Sequence, residues 1–200
     1  MLKMIKNKSC ENYEFSEIAD ISPGIQVMRY QDSKGIDYQV LSSRHLDGLT
    51  LTGEIDYVKL SNADFSKYRI YCNDVVMVMR ANTGKAALVT ESQDGILADQ
   101  HLAIIRRKKA PKILPSYLVV LLNSEWFQQQ ISSITSQSTV RLISISQLSK
   151  LEIPVPSIDI QQKIADLFFT LEEIKISSLN ALKIRQLIAE ASLFKLFGEN

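Results

Sequence analysis

Between Phe15 and Arg107 short apolar runs alternate with polar, glycine-bearing breaks, as in YQVLSSRHLDGLTL, IDYVKL, NDVVMVMRANTGKAALV and ILADQHLAIIRRKK. β-Branched and aromatic residues fill these runs, so the pattern predicts strands joined by turns at Pro23-Gly24, Asp47-Gly48, Thr83-Gly84 and Asp94-Gly95. After Pro111 the period changes. Tyr117, Leu118, Leu121, Leu122, Trp126, Phe127 and Ile131 fall at helical spacing, with Ser124 able to restart the turn. A polar stretch, TSQST, then leads into VRLISISQLSKLEIPVP, which alternates, holds a short helix near Ser146 to Lys150 and ends extended. Pro154 and Pro156 fix φ there and stop any helix from running through them.

The pattern changes again at Asp159, which is placed to cap a helix, with Gln162 three residues on as in a capping box. Ile160, Ile164, Leu167, Leu171 and Ile174 then repeat with gaps of 4, 3, 4 and 3, the spacing of a coiled-coil seam. The phase slips afterwards to Leu179 and Leu182. No proline or glycine interrupts the segment before Gly198, which sits where a C-cap belongs. At about 1.5 Å per residue, a helix from Asp159 to Phe197 measures roughly 58 Å, more than a domain of this size needs for its own core. The expectation is that it seeks another helix; packing back onto its own domain is the alternative.

The 46% hydrophobic content of the 200 residues fits a folded domain with an appendage. The predicted class is α+β: a sheet-rich globular domain over residues 1–156, then a helical region over 157–200. No run of about 18 apolar residues occurs. The start, MLKMIKNKSCENYEF, is basic but lacks the apolar core of a secretion signal, so a cytoplasmic protein is expected. A net charge of +1 argues against a strongly basic nucleic-acid binder; contact with DNA would need local patches or help from a partner.

The chemistry-bearing residues are sparse. Cys10 and Cys72 are too few and too far apart for a zinc site, and only His45 and His101 could join them, so idle thiols and no metal are expected. A methyltransferase needs a glycine-rich cofactor loop and a polar-Pro-Pro-aromatic motif for a flipped base, and neither is present. ANTGKAA has a Gly84-Lys85 pair without the following hydroxyl of a phosphate loop. Glu173-Ile174-Lys175 matches the three-letter pattern of a metal-dependent nuclease, but it lies inside the long helix with Ile174 on the seam. No Gly-x-Ser-x-Gly elbow occurs. No catalytic constellation and no cofactor site are predicted.

Three segments, FSEIADISPG, NDVVMVMRANTGKAALV and STVRLISISQLSKLEIPVPSIDIQQKIADLFFTLEEI, together resemble the specificity subunit of type I restriction-modification systems, from about Phe15 to Phe197. The most specific part is the proline pair followed by a Gln-x-x-Ile-Ala helix. The strand pair around Gly84-Lys85 adds weaker support, with Asn73 where the family usually has glycine. The resemblance implies a target recognition domain that reads one half of a bipartite DNA sequence, followed by a helical spacer. It also implies a scaffold for a modification methyltransferase and, in some assemblies, a restriction motor subunit. Family members typically carry two such units whose spacers pair antiparallel; this sequence carries one, so it resembles a half-length subunit, either natural or truncated, and is expected to pair with itself through an antiparallel coiled coil. The expected dimerisation residues are Ile160, Ile164, Leu167, Leu171, Ile174, Leu179 and Leu182.

The resemblance does not say which bases are read, so candidates for DNA contact are chosen by side-chain chemistry. Arg80, Asn82 and Lys85 sit between apolar strands, in a loop that is equally readable as a structural turn. Arg106, Arg107, Lys108, Lys109 and Lys112 form the dense basic cluster, readable also as a solvated strand exit. Arg44 and His45 precede the Asp47-Gly48 turn, and Gln100 and His101 are placed similarly. Ser138, Thr139 and Arg141 lie in the polar stretch before the closing segment. The competing function is a helical adaptor whose head binds protein. Basic residues gathered on one face would favour DNA, and scattered ones the adaptor. A stand-alone nuclease is the third reading.

Overall fold

A computed structural model describes residues 10–80, 84–135 and 142–197. The chain divides into two compact units, the first ending at Ala165 and the second beginning at Asp166. The first unit opens with β1 (Cys10–Glu14), α1 (Phe15–Ile18), β2 (Ala19–Pro23), α2 (Val27–Tyr30), β3 (Gln31–Leu41) and β4 (Tyr57–Leu60). It continues with β5 (Val75–Val78), β6 (Ala86–Leu88), β7 (Leu97–Ala98), β8 (Leu102–Arg107), α3 (Pro115–Asn123) and α4 (Glu125–Thr135). It closes with α5 (Ile145–Ser149), β9 (Glu152–Pro156) and the first turns of α6 (Ile158–Phe197).

Three small sheets build the head: β2-β8-β5-β6, β4-β3-β7 and β1-β9. In the first, β5 pairs antiparallel with both β6 and β8, and all four of its residues are buried, which is why VVMV reads as a continuous apolar run. Val76 and Val78 join Leu41, Ile70, Leu102 and Ile104 in the main core. A second cluster gathers Ile25, Val40, Leu60 and Leu97 around Phe65, whose ring meets Tyr30 and Tyr38 edge-on at 5.2 and 5.3 Å. Helix α3 buries Tyr117, Leu118, Val119, Val120 and Leu122. Its last residue, Asn123, accepts the Ala86 N–H at 3.1 Å and donates to the Ala86 carbonyl at 2.8 Å, satisfying the edge of β6.

The helix break at Ser124 falls where the sequence puts it, its hydroxyl donating to the Leu121 carbonyl at 2.6 Å. Two expectations are corrected. Asp47-Gly48 is no hairpin turn: a 3₁₀ turn at Ser43–His45 ends β3, and an irregular loop leads to β4, with Thr50 making only an isolated bridge to Leu88. Asp159 is not the cap of α6. The helix begins one residue earlier, the Ser157 carbonyl accepts the N–H groups of Ile160 and Gln161 at 3.0 Å, and Asp159 lies within the first turn, where a carboxylate still favours the dipole. The short helix expected near Ser146 to Lys150 is present as Ile145–Ser149, capped by Ser144, whose hydroxyl accepts the Gln147 N–H at 3.2 Å. Gly198 lies outside the described residues.

The proline pair has a clear place. Among the described residues β9 pairs with β1 alone, with Asn12 opposite Pro154 and Cys10 opposite Pro156, so neither missing N–H interrupts a ladder between two neighbours there. Beyond Ala165 the second unit is a helix in which Leu167, Leu171, Ile174, Leu179 and Leu182 are each more than half exposed. Among the described residues no helix is long and apolar enough to cross a membrane.

Candidate nucleic-acid interface

The topology divides the candidate residues between the two ends of the β2-β8-β5-β6 sheet. Val78 faces Leu102 at one end of the β5–β8 ladder and Val75 faces Ile105 at the other. At about 3.3 Å per residue, Arg80 and Arg106 therefore stand roughly 20 Å apart along the sheet.

At the first end several segments converge. The Val78 N–H donates to the Lys85 carbonyl at 2.8 Å and the Gly84 N–H to the Val78 carbonyl at 2.9 Å, closing the turn between β5 and β6. Gly84 has φ +97°, and a Cβ there would lie 2.6 Å from the Gln128 side chain, which reaches in to donate to the Gly84 carbonyl at 3.1 Å. The Met79 N–H donates to the His101 carbonyl at 2.8 Å, and Arg80 bridges Leu142, so the chain just after β5 is held between the β7–β8 turn and the 142–143 segment. The Asp99 N–H donates to the Leu41 carbonyl at 2.9 Å, which brings the end of β3, and the 3₁₀ turn after it, beside that same β7–β8 turn.

Arg80 is exposed and makes no ion pair among the described residues. Lys85 meets Asp47 at 3.3 Å, and Arg44 pairs with Asp56; both are surface pairs that an incoming phosphate can replace at small cost. Gln100 is exposed and His101 half-buried. His45 differs from its expected role. It is only 2% exposed, its Nδ1 accepts the Ser42 N–H at 3.1 Å and its Nε2 lies 3.1 Å from the Glu54 carbonyl, so it pins the loop rather than facing a groove. Asn82, Ser138, Thr139 and Arg141 lie outside the described residues.

At the opposite end the basic cluster is partly consumed by the fold. Arg106 donates to the buried Asp74 carboxylate from Nε at 2.9 Å and from Nη2 at 2.6 Å, and its guanidinium lies 4.8 Å from the centre of the Tyr71 ring. The hydrogen bond to Asp74 holds the Arg106 guanidinium above its ordinary pKa against the opposing effect of burial. Lys108 donates to the Ser16 carbonyl at 2.6 Å and stands 3.5 Å from Asp20. Arg107, Lys109 and Lys112 remain exposed. Arg107 and Lys109 share an open cleft with Tyr71 and Asn73, the latter at φ +72°, a left-handed backbone that asparagine tolerates.

Sequence reasoning missed a third constellation. Gln39 faces Tyr57 and Asp37 faces Lys59 across β3 and β4. Asp37, Gln39 and the 67% exposed Tyr57 line a groove with Arg69, whose Nη1 donates to the Gly95 carbonyl. The alternation Asp37, Gln39 along a strand was the available signal. Missed too was Gln161, fully buried, which accepts the Leu114 N–H at 2.8 Å and donates to the Pro156 and Lys112 carbonyls at 2.8 and 3.2 Å. Among the described residues no group of three or more His, Cys, Asp or Glu could hold a metal.

The basic residues thus do not gather on one face, which taken alone favours the adaptor. The comparison with known proteins points the other way. Residues 7–188 match the model of the type I restriction modification DNA specificity domain, and the chain belongs to that family. The family match gives the adaptor reading no support. A protein of Methanocaldococcus jannaschii that carries the name type I restriction enzyme MjaX specificity subunit is 28% identical over 167 residues, 78% of this chain and 38% of that protein. The solved type I restriction-modification S subunit from M. genitalium superposes with TM-score 0.64 at 17% identity, over 98% of this chain and 48% of that one. The HsdS subunit from Thermoanaerobacter tengcongensis gives 0.59 at 18%, over 95% and 43%. The chain spans less than half the length of each of these relatives.

Proposed function

We propose that this chain acts in the cytoplasm as a specificity unit of a type I restriction-modification system, one that reads one half-site of a bipartite DNA target and performs no chemistry itself. The observation that carries this is the family match over a chain holding one head and one long helix. The head is assigned to residues 1–156 and the spacer to 157–200. The convergent end bearing Arg80, Lys85, Gln100, His101 and Arg44, with Asn82 and Arg141 from the sequence, is the base-reading side; Arg107 and Lys109 serve phosphates. The head is close to neutral, so a modification methyltransferase supplies much of the backbone contact, with a restriction motor subunit joining some assemblies.

The spacer recruits a second copy. The seam through Ile160, Ile164, Leu167, Leu171 and Ile174 continues through the small residues Ser178 and Ala181 to Ile184, Ile188 and Ala191. An antiparallel pair with its two-fold axis between Ser177 and Ser178 matches Leu171 to Ile184, Leu167 to Ile188 and Ile164 to Ala191. Leu179 and Leu182 flank this seam. Two identical heads then face an interrupted palindrome. Co-expression with a cognate modification methyltransferase, followed by methylation mapping, tests the proposal. A methylated, gapped, two-fold-symmetric site that depends on this chain is expected; methylation that persists without the chain, or an asymmetric site, overturns it.

A further inference from the structure

The hydrogen-bonding chemistry that the fold leaves unspent is concentrated on one strand pair. Val40 belongs to the cluster around Phe65, and Tyr38 and Val58 pack against it, so the period of two along a strand turns Asp37, Gln39, Tyr57 and Lys59 to the opposite face of β3 and β4. None of these four side chains makes a hydrogen bond or an ion pair among the described residues. Arg44, Lys85, Arg106 and Lys108, by contrast, each have a carboxylate partner. β7 pairs only with Val40 and Leu41, so from Asp37 to Gln39 the sheet narrows to two strands about 5 Å apart, a ribbon that the major groove of DNA admits.

This ribbon is continuous with the convergent end. The Val40 N–H donates to the Asp56 carbonyl at 3.1 Å, the Asp56 carboxylate holds Arg44, and the Leu41 carbonyl accepts the Asp99 N–H at 2.9 Å, next to Gln100 and His101. The rung of Gln39 and Tyr57 therefore lies about 7 Å from the end of β3 at Leu41. A glutamine amide held on a strand presents a donor beside an acceptor, the pair that matches N6 and N7 of adenine in the major groove. The ring of Tyr57, 67% exposed, stands directly across and offers an apolar face to a thymine methyl. Asp37 stands opposite Lys59, which offsets its charge near phosphates. We infer that Gln39 and Tyr57 read an A·T pair of the half-site from the major groove, with Lys59 meeting the phosphates that flank it. The inference rests on the DNA-reading function proposed above and adds a base contact outside the loop of Arg80 and Lys85.

The full chain in complex with its modification methyltransferase is given duplexes that carry the mapped site with each half-site position varied in turn, and methylation rates are compared. Gln39→Ala is expected to lower the preference for one A·T pair by about 5- to 150-fold while the other positions keep theirs. Gln39→Glu, of the same size, is expected to move the preferred base at that position from adenine to cytosine, whose amino group a carboxylate accepts. Tyr57→Ala, at an exposed position, is expected to relax the same or the adjoining pair, and it keeps the test open should a Gln39 variant fail to fold. If the wild-type complex methylates a chain-dependent site and these variants keep its full preference, or weaken it equally at every position, the ribbon reading is overturned while the specificity function stands. A half-site without an A·T pair overturns it as well. If the wild type shows no chain-dependent site, the function fails and the inference with it. Loss of co-purification with the methyltransferase, at unchanged base preference, would assign this face to a protein partner and overturn the inference.

Discussion

Replacing Gln161 with leucine keeps the size of the side chain and the helix propensity of α6 while removing three hydrogen bonds at once. The amide joins the Leu114 N–H, the Lys112 carbonyl and the Pro156 carbonyl, so it ties the approach to α3 and the end of β9 to the second turn of α6. Three bonds at about 0.5–1.5 kcal/mol each would give about 1.5–4.5 kcal/mol. Lys112 is exposed and Pro156 partly so, hence their carbonyls recover water, and about 2–3 kcal/mol is the expected loss. For a domain of this size that lowers the melting temperature by about 4–12 °C. Urea unfolding of Gln161→Leu beside Lys163→Ala, an exposed neighbour on the same turn, measures it. A Gln161→Leu loss no larger than that of Lys163→Ala would refute the clamp.

Arg80→Ala and Lys85→Ala are expected to weaken binding of the assembled complex to its site with the head still folded. A lost base contact costs about 1–3 kcal/mol at one position, whereas a lost phosphate contact lowers the salt slope by about one; unchanged affinity in both removes this loop from the reading surface. Gly84→Ala should destabilise by about 1–3 kcal/mol, because φ +97° suits glycine and the new Cβ meets Gln128, and a neutral result in thermal unfolding would contradict that geometry. Burial pushes the Tyr117 phenol, which donates to the Pro154 carbonyl at 2.9 Å, above its ordinary pKa of 10.0. Its neutral form belongs to the folded state, so this stabilisation is complete below about pH 10 and fades as pH rises beyond it. Tyr117→Phe should flatten that alkaline decline in a pH series of unfolding curves. Inserting four residues between Ser177 and Asn180 should lengthen the spacer by about 6 Å, nearly two base-pair steps, and methylation mapping should show a wider gap with unchanged half-sites.

Local signals carried much of the fold. The period change after Pro111, the restart at Ser124 and the proline pair before the long helix are written in neighbouring residues, and each depends on backbone chemistry that acts within a turn or two. What neighbouring residues cannot carry is who lies across a sheet. The run Arg106 to Lys109 reads as a free basic patch until Asp74 and Asp20 are found opposite it, supplied by segments far away in the chain. His45 reads as a surface residue until the loop folds over it. The pairing of β1 with β9 closes nearly the whole head and has no counterpart in local pattern. Gln161 was hidden for the same reason: within the helix it looks like its exposed neighbour Gln162, and only three backbone partners drawn from elsewhere distinguish it.

Those partners also explain why the Gln-x-x-Ile-Ala segment follows the proline pair so closely. A helix that is to set a distance must be fixed at its origin, since a hinge there would let the ruler swing and blur the gap it measures. β9 is laid against β1, Ser157 starts the helix, Gln161 bonds back to β9 and to the approach of α3, and Ala165, only 1% exposed, fits where a larger side chain would not. The first two turns of the spacer are therefore fastened to the head, and the first compact unit runs on to Ala165. The two parts of one helix should answer to insertion differently. Residues added near Ser177 alter spacing, whereas residues added between Asp159 and Ile164 displace Gln161 and Ala165 from their partners and should cost stability of the head itself.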